Sequence, residues 1–317
     1  MAKQSLYSPI IEAALNRISS DHTSGAAEIL TRAGKVFSSL IDHASEIGIA
    51  DHETAYQTIL ATCVGISRAQ PDMSPLLRLA SAALSAARNT VTATDLLRAA
   101  RDAALQFIDD ASHANRTTVS QAEALIHEGA TVLTHSRSST VLATLLQAKH
   151  SGRSFVVIAT ESRPMLEGRS LAASLGDARV DVILIADSAA AAAMCDADII
   201  LIGADKLTPY DVVNKIGTRM IALAARERSL PVFALCDTSK FIDDDYSGKP
   251  ADRMNDPAEL WDNPPAGVTP HNRYFEHTPI EYFRGIMTED GLLSSGEARR
   301  RAERAVIDPE LIDCLLR

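Results

Sequence analysis

The run Thr134-His135-Ser136-Arg137-Ser138-Ser139-Thr140 sets seven polar residues between the apolar end of "TVL" and the helical pattern "VLATLLQAKH". Hydroxyls there can donate to or accept from a ligand. Arg137 can take a phosphate through its planar fork, and the first turn of the following helix offers free backbone N–H groups to an anion. Polar clusters of the same kind close four further apolar runs: Thr160-Glu161-Ser162-Arg163, Asp187-Ser188, Asp205-Lys206 and Asp237-Thr238-Ser239-Lys240. Taken singly, Thr160 or Asp187 reads as a helix cap, and a lone Arg137 or Arg163 as a solvated surface residue. Gathered on one edge, they suit an anionic, hydroxylated ligand. Asp205 follows "IILIG", the most apolar run. Its carboxylate is either partly desolvated, with a raised pKa suited to proton transfer, or a capping or ion-paired group. "NKIGT" is expected to open the next helix, with Asn214 and Lys215 in its first turn. A lysine opposes the helix macrodipole there, so an anionic ligand explains it better than chance, with a solvated side chain as the alternative.

The elements that must carry these residues fall into two rhythms. From about residue 8 to 127 the apolar residues recur at three- and four-residue spacing, rich in Ala and Leu, with Thr92 or Thr94 as a cap for the long helix over "TATDLLRAARDAALQF". Residues 1–127 are expected to form an all-helical domain. There "DHTSGAAE" puts Ser24, Gly25 and Ala26 at a helix start, and Arg68 sits at a helix end before Pro71, where a cation complements the dipole. After Gly129 five apolar, β-branched runs appear: "TVLT", "FVVIAT", "VDVILIAD", "ADIILIGAD" and "PVFALCD". Helical stretches separate them. Alternating strand and helix with nearly continuous apolar strands predicts a parallel sheet covered on both faces, and a Rossmann-like domain over 128–317. In such sheets ligands bind outside the carboxyl ends of the strands, which is where the polar clusters fall. No G-x-G-x-x-G follows the first strand, so a dinucleotide is not favoured. The segment from about 246, rich in Pro and Asn, reads as an irregular extension ending in the helix "SGEARRRAERAVI".

The bulk properties narrow the partners. Of 317 residues, 46% are hydrophobic and 23% charged, ordinary for a globular chain, and the net charge is −10. That balance argues against non-specific nucleic-acid binding and against an anionic membrane surface. No apolar run reaches the roughly 18–20 residues that span a bilayer, and "MAKQSLYSPI" lacks the apolar core of a signal peptide. Cys63, Cys195, Cys236 and Cys314 form no C-x-x-C pair, so the expectation is reduced thiols in a cytoplasmic protein, without a disulfide framework or structural zinc.

In their order along the chain, "VLTHSRSSTVL", "ATESRPMLEGRSLA", "ADIILIGADKL", "VVNKIGTRMIALAA", "CDTSKF" and "EHTPIEYFRGIMTEDG" resemble a single superfamily. It holds the alpha, beta and delta regulatory subunits of initiation factor 2B, methylthioribose-1-phosphate isomerase and ribose-1,5-bisphosphate isomerase. The resemblance runs from about residue 20 to 292 and is clearest over 131–241. It implies a helical domain before a Rossmann-like one, a homodimer or higher homo-oligomer, and a pocket for a phosphorylated sugar or nucleotide between the domains. It calls for no cofactor and no metal. The isomerases use an aspartate in "GAD", matched by Asp205, and a cysteine at the end of the first strand, where this chain has Ser136. A thiol of pKa near 8.5 can be tuned to a thiolate; a serine hydroxyl cannot ionise comparably without a base beside it. The isomerases also show Arg-Gly-Ala where this chain has Ser24-Gly25-Ala26, while Arg68 matches an arginine of both branches. The resemblance thus implies Asp205 as proton carrier, with Ser136 orienting or polarising the substrate. It places Ser24, Gly25, Ala26, Arg68, Arg137, Ser138 and Arg163 around phosphate, and Asn214, Lys215 and Lys240 on the sugar oxygens. The alternative it leaves open is a non-catalytic regulatory subunit that senses such a ligand.

Overall fold

A computed structural model of the chain describes residues 9–21, 25–243 and 254–317. Its first part is helical: α1 (Pro9–Ser19), α2 (Ala26–Asp42), the short α3 (Ala44–Ile47), α4 (His52–Ala69), α5 (Ser74–Ala87) and the long α6 (Ala93–Ala122). Local chemistry fixes the starts. The Asp51 carboxylate accepts the Thr54 N–H at 2.7 Å ahead of α4, and Pro75 stands in the first turn of α5, where a missing N–H costs nothing. Of the two candidate caps for α6, Thr92 is the one used: its hydroxyl accepts the Asp95 N–H at 3.1 Å.

The alternating part follows: β1 (Thr131–His135), α7 (Ser139–His150), β2 (Val156–Thr160), α8 (Glu167–Asp177), β3 (Asp181–Ile185), the single-turn α9 (Ala190–Ala193) and β4 (Ile199–Gly203). Next come β5 (Lys206–Leu207), β6 (Asp211–Lys215), α10 (Thr218–Glu227), β7 (Val232–Leu235), β8 (Phe275–Pro279), β9 (Gly285–Thr288), β10 (Gly291–Leu293), α11 (Ser295–Ala302) and α12 (Pro309–Leu316). Among the described residues seven strands form one sheet in the order β10-β9-β7-β4-β1-β2-β3. All neighbours run parallel except β10 against β9. Six of these strands, read from β3 to β9, follow the doubly wound order in which the chain reverses direction beside β1. The fold expected from the sequence, helices followed by a Rossmann-like parallel sheet, is the fold observed.

Several details differ. The five expected strands are present, but β9 and β10 extend the sheet, and β5, β6 and β8 form a second, three-stranded antiparallel sheet. Asn214 and Lys215 are therefore strand residues. The run "DVVNK" buries Val212 and Val213 as a strand does, and the helix begins only after Gly217, whose φ of +106° suits glycine. The conflict between Lys215 and a helix dipole disappears with this correction. The sheet is also not covered on both faces everywhere: at its edge, β3 leaves Ile183 and Leu184 half exposed. The Pro-rich segment expected to be irregular holds β8, β9 and β10, while residues 244–253 lie outside the described ones.

The chain divides into two compact units. One comprises Met1–His113 together with Ala305–Arg317; the other is Ala114–Arg304. The division falls inside α6 rather than between residues 127 and 128, and α12 packs with the helical unit. There Asp308 caps α12, its backbone N–H donates to Ser81 Oγ at 2.8 Å, and its carboxylate accepts from Arg88 at 2.5 Å and Ser85 at 3.1 Å. Tyr56 donates to Glu310 at 2.5 Å. Leu311 is fully buried in the same unit. The core of the sheet unit is formed by Val132, Val141, Leu145, Val157, Leu171 and Leu201. Among the described residues no helix is long and apolar enough to cross a membrane.

Candidate functional site

Strand β1 has β2 on one side and β4 on the other, so its carboxyl end lies at the point where the topology reverses, the place where open parallel sheets hold ligands. In register, His135 faces Ile202. The residue after β1 is Ser136, and two residues beyond the end of β4 is Asp205. The two residues expected to carry the chemistry therefore leave adjacent strands at this crevice, and both are half-buried. Gly203 lets the two chains approach closely: a Cβ there would stand 2.4 Å from the Cβ of Ser138.

Ser136 has a φ of +66°, in the left-handed region that only a few per cent of non-glycine residues adopt. Ser162, after β2, repeats the conformation with φ +64°. Such backbone is retained only where surrounding contacts over-determine it, and here they do. The Ser136 N–H donates to Ser162 Oγ at 2.8 Å. The Asp187 carboxylate accepts the N–H of Ser162 and of Arg163, each at 2.7 Å. Asp187 is thus the clamp of the β2 turn, accepting for neighbouring loop backbone rather than simply capping its own helix. Ser138 accepts the Val141 N–H at 3.3 Å and caps α7.

The cations differ in environment. Among the described residues the buried Nε of Arg137 has no hydrogen-bond partner, an orphan donor near the start of α7. Arg163 is exposed. Lys215 is buried, 2% exposed, and donates to Glu167 Oε1 at 2.8 Å, while its Nζ stands 5.0 Å from the centre of the Tyr274 ring. Glu167 keeps a second buried oxygen, Oε2, without a partner among the described residues. Tyr274 donates to Glu259 Oε1 at 2.5 Å, and burial together with that carboxylate pushes its phenol up. Asn214, also buried, donates to Thr218 Oγ1 at 3.0 Å, and Thr218 donates to the Lys215 carbonyl at 2.7 Å. The first turn of α10 is not an open anion site: Glu276 on β8 already accepts the N–H of Gly217 at 2.7 Å and of Arg219 at 2.9 Å.

After β7, Asp237 accepts the Ser239 N–H at 3.0 Å and Lys240 is buried. Cys236 precedes them; burial, reinforced by Asp237, pushes its thiol well above the ordinary range. Of the expected site residues, Ser136, Arg137, Ser138, Arg163, Asp205, Asn214, Lys215 and Lys240 belong to the sheet unit. The remainder belong to the helical unit. Gly25 is the N-cap of α2 and Ala26 its first residue. Arg68 lies in the last turn of α4 and donates to the Cys314 carbonyl at 3.0 Å. Ser24 lies outside the described residues. Among the described residues no group of three or more His, Cys, Asp or Glu side chains could hold a metal ion.

Four residues at this edge were not singled out by sequence reasoning: His135, Glu167, Gly203 and Glu276. Glu167 and Gly203 sit inside motifs whose neighbours drew attention. Glu276 acts across a strand pair that no local pattern reveals. His135 is buried, 1% exposed, between Thr160 and Ile216.

Comparison with known proteins adds independent findings. The model of the Initiation factor 2 subunit family matches residues 22–295. A ribose 1,5-bisphosphate isomerase of Archaeoglobus fulgidus is 31% identical over 292 residues, spanning 90% of this chain and 89% of that protein. The solved structure of translation initiation factor eIF-2B from Pyrococcus horikoshii OT3 superposes with a TM-score of 0.77 at 28% identity, over 90% of this chain and 97% of that one. The 5-methylthioribose 1-phosphate isomerase of the same organism shares the fold, with a TM-score of 0.69 at 24% identity over 93% and 87% of the two chains.

Proposed function

The chain belongs to the initiation factor 2 subunit family, and on that premise we propose that it binds a phosphorylated sugar and isomerises an aldose 1-phosphate to a ketose 1-phosphate, as its relative named ribose 1,5-bisphosphate isomerase does by name. The observation that carries this reading is that Ser136 and Asp205 follow the carboxyl ends of β1 and β4, which are paired neighbours at the topological reversal of the sheet. The conversion breaks the ring C1–O bond, moves the C2 hydrogen to C1, and passes the C2 hydroxyl proton to the ring oxygen as the ketone forms; the C2-to-C1 transfer needs one group that can take a proton and return it. Asp205 is that group. Ser136, held by its backbone rather than by a base, orients or polarises the substrate with its hydroxyl.

Arg137 and Arg163, with Ser138 and the first turn of α7, take phosphate; the orphan Nε of Arg137 is a donor without an acceptor among the described residues. In the helical unit, Gly25, Ala26 and Arg68, with Ser24, are assigned to phosphate by the family resemblance. Asn214, Lys215 and Lys240 hold sugar oxygens and balance developing enolate charge. The protein works as a homodimer or higher homo-oligomer, which light scattering of the purified protein would test.

A phosphorus NMR time course checks the activity. Ribose 1,5-bisphosphate, methylthioribose 1-phosphate and 5-deoxyribose 1-phosphate are offered separately to the parent, Asp205→Asn and Ser136→Cys. A ketose-phosphate signal from the parent, lost by at least about a hundredfold in Asp205→Asn, is the expected result. Equal turnover by Asp205→Asn would remove Asp205 from its role.

One observation favours a second reading. A serine stands where the isomerases carry their cysteine, and a solved relative at 28% identity is named translation initiation factor eIF-2B. Under that reading the pocket senses a sugar phosphate or nucleotide and the oligomer acts on a protein partner. Turnover only by Ser136→Cys, or ligand binding with no turnover by either, would establish it.

A further inference from the structure

His135 ends β1 inside the sheet unit, and its two ring nitrogens face different turns. Nε2 lies 2.8 Å from the Ile216 carbonyl, and Nδ1 lies 2.6 Å from Thr160 Oγ1. A carbonyl only accepts, so Nε2 carries the hydrogen. In the neutral ring Nδ1 is then an acceptor, and the Thr160 hydroxyl donates its hydrogen bond to it. That leaves Thr160 Oγ1 to accept from Ser162 Oγ, 3.1 Å away, and Ser162 Oγ to accept the Ser136 N–H at 2.8 Å. The tautomer sets the direction of the Thr160 link; the Ser162 hydroxyl also reaches the Thr160 carbonyl at 3.3 Å, and the Ser136 N–H, a backbone donor, gives to Ser162 Oγ in either case. Burial disfavours the charged ring and lowers its pKa, outweighing the Ile216 carbonyl and the nearby Asp187 and Glu167, which favour charge; Lys215 acts with burial.

We propose that His135 is the positioning residue of this site: through Thr160 and Ser162 it holds Ser136 in its left-handed conformation, and through Ile216 it ties the turn that follows Asn214 and Lys215 to the end of β1. The imidazole touches no ligand in this role. It couples three strand-end turns, those after β1, β2 and β6, so that the serine, the arginines and the lysine keep one mutual geometry. Gly217 is part of the device. A Cβ there would lie 3.0 Å from His135 Nε2, so the glycine makes room for the ring as well as the turn. The proposal deepens the sugar-phosphate reading of the same site but does not depend on turnover.

Hydrogen–deuterium exchange of the full chain without ligand separates the two arms. Asn in place of His keeps an acceptor near the Nδ1 position, and Gln keeps a donor near the Nε2 position. His135→Gln and Thr160→Val are expected to speed exchange over residues 133–138 roughly tenfold, the size of one lost buried hydrogen bond. His135→Asn is expected to leave 133–138 near the parent rate and to speed 214–219 instead. Identical behaviour of the Asn and Gln variants would overturn the proposal, as would loosening spread evenly over the sheet unit in Thr160→Val. Thr160→Val keeps the imidazole and the side-chain volume, so it carries the test alone if a histidine variant does not fold. Calorimetric titration with ribose 1,5-bisphosphate then links position to affinity: about tenfold weaker binding by Thr160→Val is expected, and unchanged affinity overturns the link. A parent that binds none would defeat the sugar-phosphate reading while the exchange result still decides the role of His135.

Discussion

Gly203, the last residue of β4, lies against Ser138, the cap of α7, so closely that any side chain on the glycine would occupy the place of the serine: its Cβ would stand 2.4 Å from the Ser138 Cβ and 2.5 Å from its Oγ. Neither atom is the far end of a flexible chain. Gly203→Ala must therefore push the start of α7 away from β4. The expected cost is about 1–3 kcal/mol, the usual range for overpacking a filled site. Urea unfolding of the sheet unit, followed within the full chain by exchange or fluorescence, measures it. Parent-like stability would mean that the α7 turn yields freely.

Ser136 trades stability for placement. Its φ of +66° disfavours a side chain, and glycine adopts that region without penalty. Ser136→Gly is expected to raise the melting temperature slightly, by about 0.5–1 kcal/mol of stability, while abolishing the ketose-phosphate signal or weakening ligand binding. A variant both less stable and fully active would contradict this account.

His135 also gives stability a pH dependence of known sign. Its folded-state pKa lies below the unfolded value near 6.5, so the folded state binds fewer protons. The stability this contributes is complete above pH 6.5 and is lost as pH falls towards the folded-state pKa, at up to about 1.4 kcal/mol per pH unit. Melting curves between pH 5 and 8 should show a steeper acid decline for the parent than for His135→Asn. Parallel curves would mean that the ring titrates as if exposed.

The four thiols should separate by accessibility. Cys195 is exposed, Cys314 half-buried, and Cys63 and Cys236 are buried with their thiols pushed well up, chiefly by burial. A thiolate-selective reagent at pH 8 should titrate Cys195 first. Cys63 and Cys236 should react only on unfolding. Rapid labelling of Cys236 in the native protein would show that the end of β7 opens to solvent.

How far the sequence discloses this molecule depends on the range over which each feature is written. The ends of β1, β2, β4 and β7 are legible because an apolar run stops at polar residues within a few positions, and the alternation with helices gives the sheet its parallel direction. Asn214 and Lys215 read locally as a helix start in "NKIGT", because their strand is completed only by β8, some sixty residues downstream. Only the partner strand, and the carboxylate of Glu276 that caps α10 from it, reveal where the helix begins. His135 stands in the polar run but takes no role of its own there, because a single histidine at a strand end carries no pattern; its meaning lies in Thr160 and Ile216, which the fold brings to its two nitrogens. Lys215 reads locally as ligand-directed or solvated; the fold buries it and pairs it with Glu167 of the chain itself.

The return of Ala305–Arg317 to the helical unit has a consequence for the order in which this protein is made. At ordinary elongation rates the ribosome takes roughly 10–40 s to pass from residue 113 to residue 317. Throughout that interval the first helices lack α12, and the apolar surface that Leu311 and Ile312 will cover has no mate. Ala114–Arg304, by contrast, is one uninterrupted stretch and can fold as soon as it clears the exit tunnel. The helical unit is therefore completed only once α12 has been made, whereas every residue of the sheet unit comes from one continuous stretch.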